Sequence, residues 1–495
     1  MSCTTILVGK NASYDGSTMI ARNDDSGAGH YTPKKMIVSD PAAAPRHYRS
    51  VLSHVEIDLP DHPMRCTFVP NALEGEGIWA AAGVNEAEVA MTATETITSN
   101  ERVLGADPLV NLIPADQSTD GKEHAGGIGE EDLVMLVLPY IHTAREGVER
   151  LGSLLEEFGT YEMNGIAFSD VSEIWWLETI GGHHWIARRV PDNAYVVMPN
   201  QLGIDSFDWN DAFGEKKEYM CSEDMKEFTD RYHLDLSMDG MFNPRDAFGS
   251  HEDADHVYNT PRAWYMARTL NPHTFSWDGP DADFSPESDD IPWCFVPEKK
   301  ITPADVKYVL SSHFQGTPYD PYAVYGPAES RGKYRSIGIN RTDFLAMMQI
   351  RPDMPKGCRA LEWLAFASNA FNAWIPLYTA VSTVPAYLSC TGKHVSTDSF
   401  YWNSRLISAL SDAGFRKCQN HIERYQLAVQ SEGNAVIDRY DPVLKAASPD
   451  EYEKICEKAN SEMCVTLREE TAKTLDAVLD ETSNLMKNCF ARSDA

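Results

Sequence analysis

A cysteine two residues from the start of the chain has the type and the position needed for nucleophilic chemistry. Cys3 would carry a free α-amine beside its thiol if Met1 and Ser2 were removed. Cysteine attacks as its thiolate, and an α-amine with a pKa of about 7.7–8.0 could take the thiol proton and later protonate a leaving amine. Arg22 could hold a positive charge near the sulfur, and Asp25 could orient the amine. The alternative interpretation is a small cysteine buried in a first strand.

The segments next to Cys3 predict a strand hairpin that would bring these groups together. Residues 4–8 and 17–22 are apolar or β-branched, and the Tyr-Asp-Gly turn at 14–16 separates them. A second β-rich block covers residues 163–199, where strands at 173–178 and 183–190 meet at a Gly-Gly pair. We therefore expect an α+β protein with antiparallel sheets.

Helix signals follow the first β-rich block and dominate the end of the chain. A capping box begins at Thr143, an apolar segment at 130–142 precedes it, and residues 101–129 predict a surface loop. Further helices are predicted at 261–270, after Thr302, at 359–371, and from 399 to the end, with breaks at 441–442 and 448–449. Residues 335–340 and 344–349 predict a hairpin. We divide the chain into a core at 1–395 and a helical C-terminal region at 396–495 packed on it.

Composition excludes several classes of function. The chain has 495 residues, 43 basic and 74 acidic side chains and a net charge of −31, which repels nucleic-acid phosphates and anionic lipid. No apolar run reaches the roughly 18 residues of a membrane helix, and no signal peptide is evident, so we expect a cytoplasmic protein without a nucleic-acid or membrane partner. A homo-oligomer is compatible with this composition.

Neither cysteines nor histidines predict a metal site. The ten cysteines are scattered without a Cys-x-x-Cys pair. His183 and His184 are best explained as a polar pair in a strand, since no third ligand stands at metal spacing. We expect no metal and no cofactor.

Several motifs together make the chain similar to a known family. They are CTTILVG at 3–9, DGSTMIARN at 15–23, VNE at 84–86, VAMTATET at 89–96, GGHHW at 181–185, RRVPD at 188–192, YVVMPNQ at 195–201, PRAW at 261–264, IRPD at 350–353 and WIPLY at 374–378. They resemble the C69 family of cysteine dipeptidases, which are N-terminal-nucleophile hydrolases related to penicillin V acylases and bile salt hydrolases. The resemblance implies a four-layer αββα sandwich with a helical C-terminal extension.

The resemblance also implies roles for individual residues. Cys3 falls at the nucleophile, and Arg22 and Asp25 fall on the element that contacts it, with Asp24 as the neighbouring alternative to Asp25. Asn200 falls at an oxyanion-hole side chain, and a backbone N–H in residues 92–95 would be the second donor. Arg262 falls at a distant active-site arginine, for which Arg268 is an alternative.

The implied substrates are dipeptides, cleaved through a thioester on the cysteine. Asp24, Thr94 and Glu95 are assigned to substrate binding; Asp24 or Glu95 would receive the substrate ammonium, and Arg262 its carboxylate. Two alternatives stay open: an amidase of the penicillin V acylase or bile salt hydrolase type, and a non-catalytic binding protein of the same fold. Ser2 is a departure from the related acylases, in which cysteine directly follows the initiator methionine, so maturation must remove an additional residue.

Overall fold

The computed structural model describes residues 3–238 and 240–487, without the side chains of Thr94 and Glu95. Its largest sheet has seven strands in the order β14-β12-β1-β2-β15-β16-β17. These strands are β1 (Thr4–Val8), β2 (Thr18–Asp25), β12 (Tyr195–Met198), β14 (Cys294–Phe295), β15 (Thr342–Ile350), β16 (Ala360–Phe366) and β17 (Ile375–Tyr378). All neighbouring strands in it are antiparallel.

A second antiparallel sheet has six strands in the order β13-β11-β10-β9-β8-β7. These are β7 (Ala82–Val84), β8 (Ala90–Thr96), β9 (Asn164–Ser169), β10 (Ile174–Ile180), β11 (His184–Arg189) and β13 (Tyr219–Cys221). Two small ribbons pair β3 (Ile37–Val38) with β6 (Thr67–Phe68) and β4 (His47–Arg49) with β5 (Glu56–Asp58).

Helices connect and cover these sheets. In chain order they are α1 (Glu101–Ala106), α2 (Leu133–Val137), α3 (Ala144–Phe158), α4 (Trp209–Ala212), α5 (Met225–Arg231), α6 (Pro244–Phe248), α7 (Asp255–Tyr258), α8 (Thr260–Leu270), α9 (Pro303–Leu310), α10 (Ala386–Ser389), α11 (Phe400–Ala413), α12 (Phe415–Ala446) and α13 (Tyr452–Ser483).

The two large sheets pack on each other between helices. Strand β2 contacts β8 and β9 of the six-stranded sheet, and α3 packs on β9, β10 and β11. On the seven-stranded sheet, α8 packs on β12, α9 on β1 and β2, and the C-terminal helices on β16 and β17. Alternate side chains of β10 point to opposite faces: Trp175 and Leu177 join the apolar cluster that includes α3, whereas Trp176 joins the cluster of the seven-stranded sheet.

The β1–β2 hairpin confirms the prediction for the N-terminal segment. The Asp15 carboxylate accepts hydrogen bonds from the backbone N–H of Ser17 at 3.0 Å and from its hydroxyl at 2.5 Å. Gly16 has φ +83°, which a glycine adopts without a steric penalty. Thr5 pairs with Arg22 in the resulting register, so the end of β2 lies beside the residue that precedes β1.

Most of the predicted helices are confirmed. The Thr143 hydroxyl caps α3 by accepting from the Glu146 N–H at 3.1 Å, and Thr302 forms a capping box at α9. Helix α8 covers the predicted 261–270 segment, and helices dominate the described residues after 399. The apolar segment 130–142 holds only α2 and a following 3-10 turn, and the predicted loop 101–129 begins with α1.

Two of the predictions near the centre of the seven-stranded sheet were wrong. The segment 359–371, predicted as a helix, instead contains strand β16 over residues 360–366, and residues 335–340 form no strand: β15 pairs instead with β2 and β16. Every residue of β15 and β16 is buried. A strand that is covered on both faces loses its polar alternation, and its apolar run then cannot be distinguished from a buried helix by periodicity.

The predicted helix break at 441–442 was also wrong, whereas the break near 448–449 was confirmed. Helix α12 continues through Pro442 to Ala446. Proline removes one backbone hydrogen bond from a helix interior. Two tertiary contacts hold this turn, because the Asp441 carboxylate pairs with Arg351 at 2.6 Å and accepts from the Tyr378 hydroxyl at 2.7 Å.

Candidate active site

Cys3 lies at the start of β1, completely buried, with two carboxylates close to its sulfur. The Sγ atom and one carboxylate oxygen each of Asp24 and Glu130 all lie within 4.8 Å of one another. Asp24 comes from the end of β2, and Glu130 comes from the segment before α2. The tertiary fold therefore surrounds the thiol with acidic groups that are far apart in the sequence.

Arg22 connects these acids and joins the two large sheets. Its Nη2 donates to Asp24 at 2.6 Å and to Glu130 at 2.9 Å. Its Nη1 donates to the carbonyl oxygen of Ala93 on β8 and to that of Ala81 at 3.3 Å. The guanidinium is 2 % exposed, so these charge-assisted bonds act without competition from bulk water.

A lysine supplies the second positive charge of this cluster. The Lys34 ammonium lies 3.0 Å from Asp24 Oδ2 and donates to the Trp79 carbonyl oxygen at 3.2 Å. Burial raises the pKa of Asp24, but the charges of Lys34 and Arg22 outweigh it and hold that pKa below its usual value. Asp24 is therefore ionised at neutral pH and forms ion pairs with both Arg22 and Lys34.

Arg262 reaches the cysteine from helix α8 on the other side of the strand. It is completely buried, and its five N–H groups all have oxygen acceptors in the protein. The Nε group donates to the Tyr258 carbonyl oxygen at 2.7 Å, Nη1 to the Cys3 carbonyl oxygen and to Thr4 Oγ1 at 2.7 Å, and Nη2 to the Oδ1 atoms of Asn200 and Asn259, each at 2.7 Å. Such a guanidinium fixes the position of the cysteine backbone.

Asn200 follows β12 and is oriented by its neighbours. Its Oδ1 accepts from Arg262, its backbone N–H donates to Asn259 Oδ1 at 3.1 Å, and its Nδ2 donates to the Thr96 carbonyl oxygen at 2.9 Å. Because the arginine has no acceptor atom, it defines which end of the amide carries the oxygen. The NH₂ end of the side chain therefore lies on the side of β8.

Asp25 has different partners from Asp24. Its carboxylate pairs with Arg335 and accepts from the Thr342 hydroxyl at 2.5 Å. Arg335 also lies over the Tyr258 ring, 5.1 Å from its centroid, and Arg262 lies 5.1 Å from the same centroid. Asp25 therefore belongs to an arginine and tyrosine network that borders the Arg262 group.

The other predicted residues have varied positions. Thr94 and Glu95 lie on β8, at a shift of its register against β9, and their side chains are outside the described residues. Arg268 forms an ion pair with Asp278 at 2.8 Å, away from the Cys3 cluster.

His183 and His184 both form hydrogen bonds with Asp107, at 3.1 and 2.7 Å. Burial raises the pKa of Asp107, but these hydrogen bonds outweigh it and hold the pKa at about 2.

Sequence reasoning missed Glu130, Lys34 and Arg335. Acidic residues before a helix are common because they complement its dipole, so Glu130 gave no distinct signal. Its backbone N–H donates to Glu162 at 2.6 Å. Burial and the nearby Glu130 charge raise the pKa of Glu162 to about 7. Only contacts between distant segments identify this second acidic pair, of which Glu130 lies near the thiol.

The chain is similar to known proteins of one peptidase family. The family model described as peptidase family C69 matches residues 2–428. A dipeptidase of Bifidobacterium longum (strain NCC 2705) is 55% identical, and a probable dipeptidase A of Streptococcus pyogenes serotype M3 is 52% identical, each over 100% of both chains. Dipeptidase A of Lactobacillus helveticus is 42% identical over 98% of this chain and 97% of its own.

This chain belongs to peptidase family C69 and is therefore a peptide hydrolase. Among the helices in residues 3–238 and 240–487, none combines the length and the hydropathy needed to cross a bilayer.

Proposed function

We propose that this protein hydrolyses dipeptides with Cys3 as an N-terminal nucleophile, on a sandwich of the N-terminal-nucleophile hydrolase type. One observation carries the proposal: a completely buried cysteine at the start of a central strand lies within 4.8 Å of two carboxylates, and Arg262 bonds its carbonyl oxygen. Names of relatives at 52–55% identity over the full length support the substrate class. The layering of helices, two sheets and helices supports the fold.

The proposed reaction begins at the mature N-terminus. The α-amine of Cys3 takes the thiol proton, and the thiolate attacks the carbonyl carbon of the peptide bond. The oxyanion of the tetrahedral intermediate accepts a hydrogen bond from Asn200 Nδ2 and one from a backbone N–H of residues 92–95. The C–N bond then breaks, and the leaving amine takes the proton from the α-ammonium.

The remaining half of the cycle hydrolyses the thioester. Water loses a proton to the α-amine as its oxygen attacks the thioester carbon. The C–S bond breaks, the sulfur regains the proton, and the carboxylic acid product leaves. No metal or cofactor enters this scheme.

Arg262 is a positioning residue in this proposal rather than a ligand for the substrate carboxylate. All five of its N–H groups already donate to protein oxygens, and exchanging one for a substrate would leave a buried acceptor unpaired. Its hydrogen bonds fix the position of the Asn200 amide relative to the Cys3 backbone. The orientation of the α-amine is assigned to Asp25 or Asp24, of which Asp24 belongs to the group of atoms around Sγ.

The acidic side chains near the thiol favour a substrate with a free, positively charged α-ammonium group. We assign the substrate ammonium to Asp24, which also pairs with Arg22 and Lys34, or to Glu95 of the adjacent strand β8. A cationic α-ammonium of the substrate would be attracted there, whereas an acetylated amine would not. N-acetylated dipeptides should therefore be cleaved at least about tenfold more slowly in kcat/KM than the unblocked forms; equal rates would remove this part of the proposal.

Maturation must remove Met1 and Ser2 to expose the α-amine. We expect intact-mass analysis and N-terminal sequencing of the active enzyme to begin at Cys3. Active enzyme that retains Ser2 would refute the use of the α-amine as the base.

Variants of Cys3 test the nucleophile itself. Cys3→Ala should lower kcat/KM for dipeptides at least about 1,000-fold, and Cys3→Ser should also be strongly impaired because an alcohol is harder to deprotonate. The control is Cys418→Ala, which removes another buried thiol. Full activity in either Cys3 variant overturns the assignment, and a substrate panel that favours penicillin V or conjugated bile salts would favour the amidase alternative.

A further inference from the structure

A cavity of about 700 Å³ lies on the outer side of the seven-stranded sheet, away from the Cys3 cluster. It is bounded by α9, the segment 313–325, the turn at 370–374 and the start of α12. Helix α9 packs on β1 and β2 from this side, where the Asn23 side chain donates to the Leu310 carbonyl oxygen at 2.8 Å. Since neighbouring strand residues point to opposite faces, Arg22 and Asp24 lie on the other face.

A buried lysine without an acidic partner lines this cavity. Lys307 is 8 % exposed, and its ammonium donates to Ser311 Oγ at 2.6 Å and to the Asn369 carbonyl oxygen at 2.7 Å. It forms no ion pair with a carboxylate of residues 3–238 or 240–487. Burial lowers the pKa of Lys307 to about 7, because an ammonium removed from water without a counter-ion is destabilised.

The wall also carries Arg416 and two acidic side chains, Asp320 and Glu423. Asp320 is paired with His313 at 2.9 Å, and Glu423 accepts from the Gln419 amide at 2.8 Å. Arg416 also lines the cavity from α12 and forms no ion pair within the part of the chain that the structure describes. Neither carboxylate forms an ion pair with Lys307, so an anion entering the cavity would meet a buried ammonium that has no acidic partner among the described residues.

The apolar part of the wall is aromatic. Tyr322 stacks on Phe415 with ring centroids 3.9 Å apart and an angle of 14° between the planes, and both rings line the cavity. Val324 and Tyr325 are exposed residues of the same wall, at 62 % and 50 %, and place its opening towards solvent. Flat apolar surfaces beside one charged group are typical of small-molecule sites.

We propose that this cavity binds a small organic carboxylate, whose anionic end pairs with the Lys307 ammonium and whose apolar body packs against Tyr322 and Phe415. The ligand oxygen adds the acidic partner that Lys307 lacks, and the aromatic rings select a hydrophobic group on the same molecule. The site is separate from the proposed catalytic cysteine, so its occupation does not depend on the dipeptidase proposal.

Two probes of equal shape, one anionic and one neutral, test whether the cavity recognises a carboxylate charge. Calorimetric titration should show that phenylacetate binds at least about tenfold more tightly than the neutral phenylacetamide, since a charge-assisted bond is stronger than a neutral one. Equal affinities, or binding of neither probe at about 10 mM, would overturn the proposal whatever the behaviour of any variant.

A lysine substitution then locates the site. Lys307→Met should reduce the preference for phenylacetate to about twofold or less, with far-UV circular dichroism and the Tm checking that the variant folds. The matched control is Lys454→Met, an exposed helical lysine elsewhere, which should keep the wild-type preference. A folded Lys307→Met variant that still prefers phenylacetate tenfold would contradict the assignment.

Discussion

Asn200→Ala separates the proposed oxyanion donor from the scaffold that holds it. In the structure the Asn200 side chain makes two hydrogen bonds, accepting from Arg262 at 2.7 Å and donating to the Thr96 carbonyl oxygen at 2.9 Å. Losing both should lower the free energy of unfolding by about 1–3 kcal/mol, because one of the bonds involves a buried charge and Asn200 is only half-buried, so water can replace part of the loss.

The effect of this substitution on the rate should be larger than its effect on stability. Removing one oxyanion donor typically lowers kcat about 100- to 1,000-fold, or about 2.7–4 kcal/mol. KM should change little, because the donor acts on charge that develops only in the transition state. The assay is steady-state hydrolysis of an unblocked dipeptide, followed by ninhydrin or a coupled amino-acid oxidase.

Asn259→Ala is the matched control for Asn200→Ala. Asn259 Oδ1 also accepts from Arg262 at 2.7 Å and accepts from the Asn200 N–H at 3.1 Å, so its loss disturbs the same scaffold but removes no oxyanion donor. We expect a similar loss of stability with a decrease in kcat of about tenfold or less. A kcat for Asn200→Ala within about threefold of wild type, or equal losses in both variants, would refute the oxyanion role.

Three further predictions concern charge and packing. Asp24→Asn should lower the free energy of unfolding by about 3–5 kcal/mol, because it leaves the buried Lys34 unbalanced. Since ion pairs hold the pKa of Asp24 below its usual value, the stability that Asp24 contributes is present above about pH 4 and is lost on further acidification. Urea unfolding at pH 7 and pH 3 should therefore show that the free energy of unfolding decreases less in the variant than in wild type. An equal decrease in both proteins would contradict this prediction. Gly433→Ala should destabilise α12, since a Cβ there lies 2.7 Å from Pro376 Cδ, whereas Gly392→Ala, with open space around its Cβ, should not change the Tm. A chain of residues 1–395 should fail to unfold cooperatively in calorimetry, because α11, α12 and α13 cover β16 and β17; a stable 1–395 fragment would refute the proposed dependence of the core on residues 396–495.

Local signals in the sequence predicted those elements whose boundaries depend on nearby residues. The Asp-Gly turn, the Thr143 and Thr302 caps and the Gly-Gly connection between β10 and β11 act within a few residues of each other. Each was therefore visible without the fold. Strand β16 was missed because both of its faces are covered, and only the position of a strand within a sheet determines that.

The same limit explains the surroundings of the cysteine. The sequence singled out Cys3 and Arg22 because the hairpin brings the end of β2 beside the start of β1. It left Asp24 and Asp25 as alternatives, and their different partners became visible only when strand β15 and Lys34 were in place. Their roles in the reaction stay predictions.

Motifs and turn chemistry are local properties of the chain, so they were enough to predict the family, the N-terminal hairpin and a nucleophile candidate at its start. The groups that surround that thiol come from distant segments and are brought together only by the fold. Glu130 meets Arg22 across 108 positions of the chain and Arg262 meets Cys3 across 259. A buried charge is stable only when it has ion-pair or hydrogen-bond partners. Partners so distant in the sequence are brought together by the packing of sheets and helices, so no local pattern predicts them.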